Sequence, residues 1–316
     1  MLVLPTAPEW VKMAFGLHEA PTFLRPLPTV PAVSSEAVQP IVALLSDSPG
    51  GDPTQYMAEK ALTQHDLDWR YLTFEVLPEQ LGDAVRGIRA LGFRGAHCAS
   101  HHKRPIVALL DRLSQTAERI GAANVVLREN GDLVGENTEG RGLLQSLGRH
   151  GIDDPAGKRV VLLGGGRAAR AVAVELAAAG IGALTIVNRT ELHARQLADL
   201  VGEQFETEVS VSAWVEDFAL PPETDLLVHA TTLVDDNPSV VLPIDSESLR
   251  PTTCVADMTW RAPRSWLLRE AAERGCPTID GLEMYVEQVA EAIRLWTGVL
   301  PETYGMREAA EEFLEL

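Results

Sequence analysis

Cysteine and positive charge are both scarce in this chain, and long apolar runs are missing. Of 316 residues only 3 are cysteines (Cys98, Cys254 and Cys276), an odd number without CxxC spacing. This excludes a disulfide framework and a thiolate metal site, and it points to a reducing, cytoplasmic setting. Lysine and arginine number 27 against 45 acidic residues, a net charge of −18. A phosphate backbone is repelled by such a surface unless a basic stripe is concentrated somewhere, and none is, so no nucleic-acid partner is expected. No apolar stretch reaches membrane-spanning length, so no membrane partner is expected either. The first residues hold Glu9, Lys12 and several prolines, unlike a signal peptide. His97, His101 and His102 cluster, but no carboxylate or cysteine completes a ligand set. They read as a polar pocket wall, and no metal is expected.

The remaining composition, 46% apolar and 23% charged, is that of a globular protein, and the length allows two cores. Its most informative stretch is Val160-Val161-Leu162-Leu163-Gly164-Gly165-Gly166-Arg167-Ala168-Ala169. An apolar strand stops at the glycines, an alanine-rich helix runs from Ala168 to about Ala179, and a second strand covers Ala183–Val187. This is the order of a dinucleotide-binding βαβ unit. Gly164 allows the tight turn, Gly166 lets the backbone approach a pyrophosphate, and Ala169 permits close helix–strand packing. Phosphates would sit on the free N–H groups of Gly165, Gly166, Arg167 and Ala168 at the helix N-terminus. The second strand ends in Asn188-Arg189-Thr190 rather than an acidic residue. An arginine suits a 2′-phosphate that an aspartate would repel, which favours NADP over NAD.

Strands and helices alternate along most of the chain. Residues 1–39 form an irregular, proline-punctuated extension, with a short helix at Trp10–Phe15. Expected strands are 40–45, 69–76, and one beginning at 93. Helices are expected over 55–65, 81–91 (Val85, Ile88 and Leu91 as core) and 103–120. A hairpin turns at Glu129-Asn130-Gly131. A helix over 140–150 leads into the second α/β unit, with strands at 209–211, 225–229 and 254–257 and a helix at 266–274. Helices at 284–296 and from 303 close the chain.

With these pieces in order, the chain resembles the shikimate dehydrogenase family over nearly all of residues 41–298. The likeness rests on Gly95-Ala96 through Lys103, and on Asn124 followed by Asn137-Thr138-Glu139-Gly140-Arg141-Gly142, similar to NTDGxG. It rests further on the glycine loop with VNRT, and on Gly281-Leu282-Glu283-Met284-Tyr285-Val286-Glu287-Gln288. The resemblance implies an α/β fold of two domains: a substrate-binding catalytic domain at 40–140 completed by 282–316, and a Rossmann-type NADP domain at 141–281. It implies an NADP-dependent oxidoreductase of shikimate, quinate or a related cyclic hydroxy acid, placed in aromatic amino acid biosynthesis, as a monomer or homodimer. Lys103 and Glu139 match the catalytic dyad, although the family has Asp at the second position. Asn124 and Gln288 match contacts to ring hydroxyls. Gly281 matches a backbone contact to the nicotinamide amide, with Met284 beside the ring, and Thr231 belongs to the cofactor wall.

The likeness breaks where the family holds the substrate carboxylate. Its SxSP serines fall at Asp52 and Thr54 by ungapped counting, although Ser46-Asp47-Ser48-Pro49 also reads SxSP. Its tyrosine becomes Trp260, and its NVTxPxK becomes His97-Cys98-Ala99-Ser100-His101-His102-Lys103. Shikimate oxidation with a high KM is the expectation. An NADP-binding regulatory or sensor protein without turnover is the alternative, against which retention of Lys103 and an acid at 139 argues.

Overall fold

The computed structural model describes residues 38–316 apart from 235, 236, 238 and 262. The short helix expected at Trp10–Phe15, and all but the end of the irregular extension, lie outside the described residues.

Two sheets organise the chain. The first unit runs β1 (Ile41–Ser46), α1 (Thr54–Gln64), β2 (Arg70–Glu75), α2 (Leu81–Leu91), β3 (Gly95–Cys98), β4 (Arg112–Leu113), α3 (Gln115–Ile120), β5 (Val125–Glu129) and β6 (Asp132–Glu136). Its sheet order is β2-β1-β3-β5-β6-β4, with β2, β1 and β3 parallel and β5 and β6 an antiparallel hairpin. Asn130 and Gly131 carry this hairpin with φ of 52° and 97°, the left-handed pair that matches strand twist in a tight turn.

The second unit follows α4 (Glu139–Arg149) with β7 (Arg159–Leu163), α5 (Arg167–Ala178), β8 (Ala183–Asn188), α6 (Glu191–Gln204), β9 (Glu208–Ala213), β10 (Leu226–His229), β11 (Cys254–Asp257), α7 (Trp266–Glu273) and β12 (Thr278–Ile279). Its sheet is wholly parallel in the order β12-β11-β10-β7-β8-β9, the doubly wound arrangement of nucleotide-binding domains. The strands read as unbroken apolar runs because both faces are covered. In β7, Val160 and Leu162 join the core on one face, while Val161 and Leu163 join that on the other. β1 divides in the same way, with Val42 and Leu44 on one side and Ala43 and Leu45 on the other.

The chain ends in α8 (Gly281–Thr297) and α9 (Thr303–Leu314), which return to the first sheet. Val286, Val289, Ile293 and Met306 pack there with Val42, Leu44 and Met57. Trp296 closes the seam by donating its indole N–H to the Val126 carbonyl at 2.9 Å.

Three expectations need correction. The helix expected over 103–120 is broken: a 3-10 turn spans Pro105–Leu109, β4 pairs with β6, and only Gln115–Ile120 is α-helical. Pro105 is tolerated only in a first turn, and Asp111 is drawn to the hairpin by the Leu133 N–H at 2.7 Å. Ser114 then starts α3 afresh, its hydroxyl accepting from Ala117 N. Leu91 is 73% exposed, whereas Val85 and Ile88 are buried. The buried stripe is Leu81-Val85-Ile88, and position 91 lies off it at a period of 3.6 residues. The penultimate helix begins at Gly281 rather than Met284, because Asp280 caps it by accepting from Glu283 N.

Gly95 fixes the distance between β3 and α8. A Cβ there would lie 2.2 Å from both Trp296 Nε1 and Val126 O, the two partners of the seam hydrogen bond. Gly95→Ala is therefore expected to cost about 2–3 kcal/mol through overpacking and loss of that bond. Urea unfolding of parent and variant checks this, and an unchanged midpoint would show that Trp296 moves aside freely.

Candidate active site

A cavity of about 1050 Å³ opens between the two sheets, where β1, β3, β7, β8 and β10 end. Ligand sites of open α/β folds lie at these carboxyl ends, and the volume suits a dinucleotide and a small molecule together.

On the second-sheet side, β7 runs into Gly164 with φ of 127°, where a Cβ would sit 2.6 Å from Ala230 O. Beside Gly166 a Cβ would meet nothing within 4 Å, and this residue caps α5 without any side-chain hydrogen bond. The first N–H groups of a twelve-residue helix are thus left open to the cleft, as a pyrophosphate requires. Asn188, Arg189 and Thr190 line the cavity at the end of β8. Asn188 holds the turn by donating to Thr190 O at 2.8 Å, while Arg189 is exposed and forms no ion pair among the described residues. Thr231 is fixed by the buried His229, which bonds it through Nε2 at 2.6 Å and Asp257 through Nδ1 at 2.9 Å. These residues fit a phosphorylated dinucleotide.

On the first-sheet side, Lys103 follows β3 in a turn whose carbonyl accepts from Ala123 N at 2.8 Å. Its Nζ donates to Glu139 Oε1 at 2.6 Å, with both side chains more than four-fifths buried. Glu139 opens α4, where the helix dipole favours a carboxylate, and its own N–H donates to Asn137 Oδ1. The extra methylene relative to Asp does not break this contact. Asn124 is tied to Thr138 at both ends of its amide, donating to Oγ1 at 3.0 Å and accepting from N at 2.8 Å. One N–H of that amide remains for a ligand. Gln288, from α8, has no hydrogen-bond partner among the described residues and lines the same cavity. Gly281 is buried where a Cβ would meet Thr259 C at 2.4 Å and Trp260 N at 2.6 Å. Met284 lies one turn further along, in the cavity wall.

The structure thus gathers the whole expected set around one cleft, Thr54 and Trp260 included. Ser46 and Ser48 line it as well as Asp52 and Thr54, so both candidate serine segments reach the site. The histidine cluster separates. His97 bonds Tyr71, His101 bonds Asp47, and the fully buried His102 bonds the Val76 carbonyl. Among the described residues no group of three or more metal-ligating side chains converges. Tyr285 was not singled out from the sequence, yet it stacks on Trp260 at 4.9 Å and bonds Asp52. Its position one residue after Met284, on a helix already known to face the cleft, was the available signal.

The N-terminal part, residues 53–126, matches the shikimate dehydrogenase substrate binding domain, and residues 146–232 match shikimate / quinate 5-dehydrogenase. A shikimate dehydrogenase (NADP(+)) from Moorella thermoacetica is 40% identical over 265 residues, covering 82% of this chain and 88% of its own. The chain belongs to the shikimate dehydrogenase family. Among solved members of that fold, a 5-ketofructose reductase of Gluconobacter in ligand-free form is 37% identical with a TM-score of 0.84, covering 87% of this chain and 99% of its own. The shikimate 5-dehydrogenase of Thermus thermophilus in complex with NADP(H) and shikimate is 33% identical with a TM-score of 0.75, covering 87% and 100%. The two-domain Rossmann-type architecture of this dehydrogenase family is therefore the architecture of the chain, which is an oxidoreductase of that type.

One charge cluster holds the dyad's helix in place. Arg141, just after Glu139, lies 3.2 Å from Glu136, 3.5 Å from Glu175 and 3.3 Å from Glu291, joining β6, α4, α5 and α8. Burial alone would lower the Arg141 pKa, but the three glutamates hold it above its ordinary value. For Glu175 burial is the largest effect and raises its pKa despite Arg141. Arg141→Met is expected to cost about 2–3 kcal/mol at pH 7, below the ~3–5 kcal/mol of a fully buried broken pair because the arginine is partly solvated. A carboxyl whose folded pKa is raised penalises the fold where it is ionised, and the penalty fades as pH falls through that pKa. The variant's deficit should therefore shrink between pH 7 and pH 5. Denaturation midpoints across that range check it, and a deficit independent of pH would rule out the electrostatic origin.

Proposed function

We propose that the chain catalyses reversible hydride transfer between NADP(H) and a secondary alcohol or ketone of a small polyhydroxylated substrate, shikimate or a related cyclic hydroxy acid. The observation that carries this reading is the Lys103–Glu139 contact of 2.6 Å, mostly buried, in the same cleft as the open glycine loop. The Moorella relative and the Thermus complex support the cofactor and the substrate class, and the Gluconobacter reductase supports widening that class to polyhydroxylated ketones. A sensor without turnover has no need to retain a buried lysine–carboxylate pair beside a nucleotide site.

NADP supplies the hydride acceptor or donor when bound. Gly164, Gly165, Gly166, Arg167 and Ala168 would hold its pyrophosphate, Asn188, Arg189 and Thr190 its ribose phosphate, and Thr231, Gly281 and Met284 the nicotinamide end. Lys103 moves the proton: its neutral amine takes the hydroxyl proton during oxidation, and the resulting ammonium returns it to the carbonyl oxygen during reduction. Glu139 fixes the direction of the Lys103 amine. Asn124 offers its remaining N–H and Gln288 its amide to ring hydroxyls, which orients the reacting carbon towards the cofactor. The protein is cytoplasmic in this reading, a monomer or homodimer; among the described residues no helix is long and apolar enough to cross a membrane.

Cofactor preference tests the nucleotide half. Arg189→Ala should weaken NADPH binding about 10- to 150-fold, the range of one charge-assisted phosphate contact, and leave NADH binding within about threefold. Fluorescence titration measures both, and equal affinity of the parent for the two cofactors would remove Arg189 from the 2′-phosphate.

The dyad is tested separately. Lys103→Ala should reduce kcat about 100-fold or more while the NADPH dissociation constant stays unchanged, since proton transfer is lost and the glycine loop is intact. A variant with parental kcat would show that the proton leaves by another route.

A further inference from the structure

Part of the cleft wall built on the first sheet carries groups that hydride transfer does not require. Asp52 is half-buried there. Its Oδ1 accepts from Thr54 N at 2.9 Å, Thr54 Oγ1 at 2.5 Å and Tyr285 OH at 3.0 Å. Its Oδ2 has no hydrogen-bond partner among the described residues. Thr54 and Tyr285 also touch each other, so their hydroxyls are engaged within the cluster. The negative charge of Asp52 is felt at Tyr285 and at Tyr71, where it adds to burial in raising both phenol pKa values.

Tyr71 leads to the second group. Its hydroxyl, fully buried, meets His97 Nδ1 at 2.6 Å. Burial, with a smaller effect of Lys103, lowers the His97 pKa to about 3, so the ring is neutral. His97 is 6% exposed and belongs to the cavity wall, and Nε2 is buried with no hydrogen-bond partner among the described residues.

The cleft therefore offers a spare acceptor on Asp52. A hydroxyl both donates and accepts, whereas a carboxylate at neutral pH only accepts and is repelled by Asp52. The cations nearby do not reverse this. Lys103 is matched by Glu139, and His101 is bonded to Asp47. Arg261 is exposed and stacked over Trp260 at 4.6 Å; its charge reaches Tyr285, where it opposes the larger effect of Asp52.

We propose that this wall binds an uncharged hydroxylated group of the substrate, which donates to Asp52, so that the protein prefers a neutral polyhydroxylated alcohol or ketone to its carboxylated counterpart. The choice of ring scaffold rests on the function proposed above; the preference itself is read from binding and does not depend on turnover.

The test uses two probes that differ at one position, shikimate and its carbinol analogue with CH2OH in place of the carboxylate. Calorimetry on the full chain saturated with NADP+ gives both dissociation constants. The carbinol is expected to bind about tenfold more tightly or better, the effect of one unscreened like-charge contact. Asp52→Asn keeps the side chain's size and removes its charge, and it should bring the two within about threefold, chiefly by tightening shikimate. Shikimate binding as tightly as the carbinol overturns the proposal and assigns the carboxylate to Arg261. A preference unmoved by Asp52→Asn overturns it too, as does binding of neither probe. Turnover is followed in parallel: a carbinol preference without oxidation of either probe sustains the binding proposal and refutes the hydride-transfer reading.

Discussion

The close approach of α4 to both α5 and α8 is the constraint on which the site depends. Gly140 faces α5 so tightly that a Cβ would meet the Ala171 carbonyl at 2.6 Å, and at Gly142 a Cβ would meet the Met284 carbonyl at 2.4 Å. One helix is thus in backbone contact with the nucleotide domain on one side and with the returning C-terminal helix on the other. Its first residue is Glu139. The position of that carboxylate relative to the glycine loop and to Gln288 is set by rigid packing rather than by a loop, at a scale where about 1 Å matters to rate. Arg141 belongs to the same device. With two glycines denying the helix any side chain at the crossings, the charge between them joins the surrounding elements through three glutamates.

This explains why a short motif was so readable. Asn137-Thr138-Glu139-Gly140-Arg141-Gly142 was legible as a family signature, and each member has a local duty: Asn137 bonds Glu139 N, Thr138 bonds Asn124, and the glycines permit the crossings. The glycine loop was legible for a similar reason, since only a few residue types fit its backbone. Core strands were legible because their apolar runs are continuous. One misreading falls where a distant partner decides, and the others turn on helix phase and capping. Nothing local breaks a helix at Asp111; the hairpin across from it does. Leu91 looks like core until the stripe is phased against Leu81.

The recognition end of the cleft was harder to read because its elements come from far apart in the chain. Asp52 gains its meaning from Tyr285, and His97 from Tyr71. The sequence shows only that the serines, the tyrosine and the asparagine of the family pattern are replaced. It does not show that the replacements form a set. In space they do: an oriented carboxylate, an aromatic stack of Trp260 on Tyr285, and an imidazole held neutral by burial.

These two ends answer to different physics. The proton transfer proposed for Lys103 and Glu139 needs groups fixed to a fraction of an ångström, and the two are anchored by a turn carbonyl, a helix start and close glycine crossings. Recognition of the substrate's remaining groups needs only complementary donors, acceptors and charge, which single side chains at the edge of β1, β3 and α8 supply. The wall carrying Asp52 and His97 contributes no residue to the α4 crossings. A 5-ketofructose reductase and a shikimate dehydrogenase share this fold at comparable identity to the chain, so fold alone does not select the substrate.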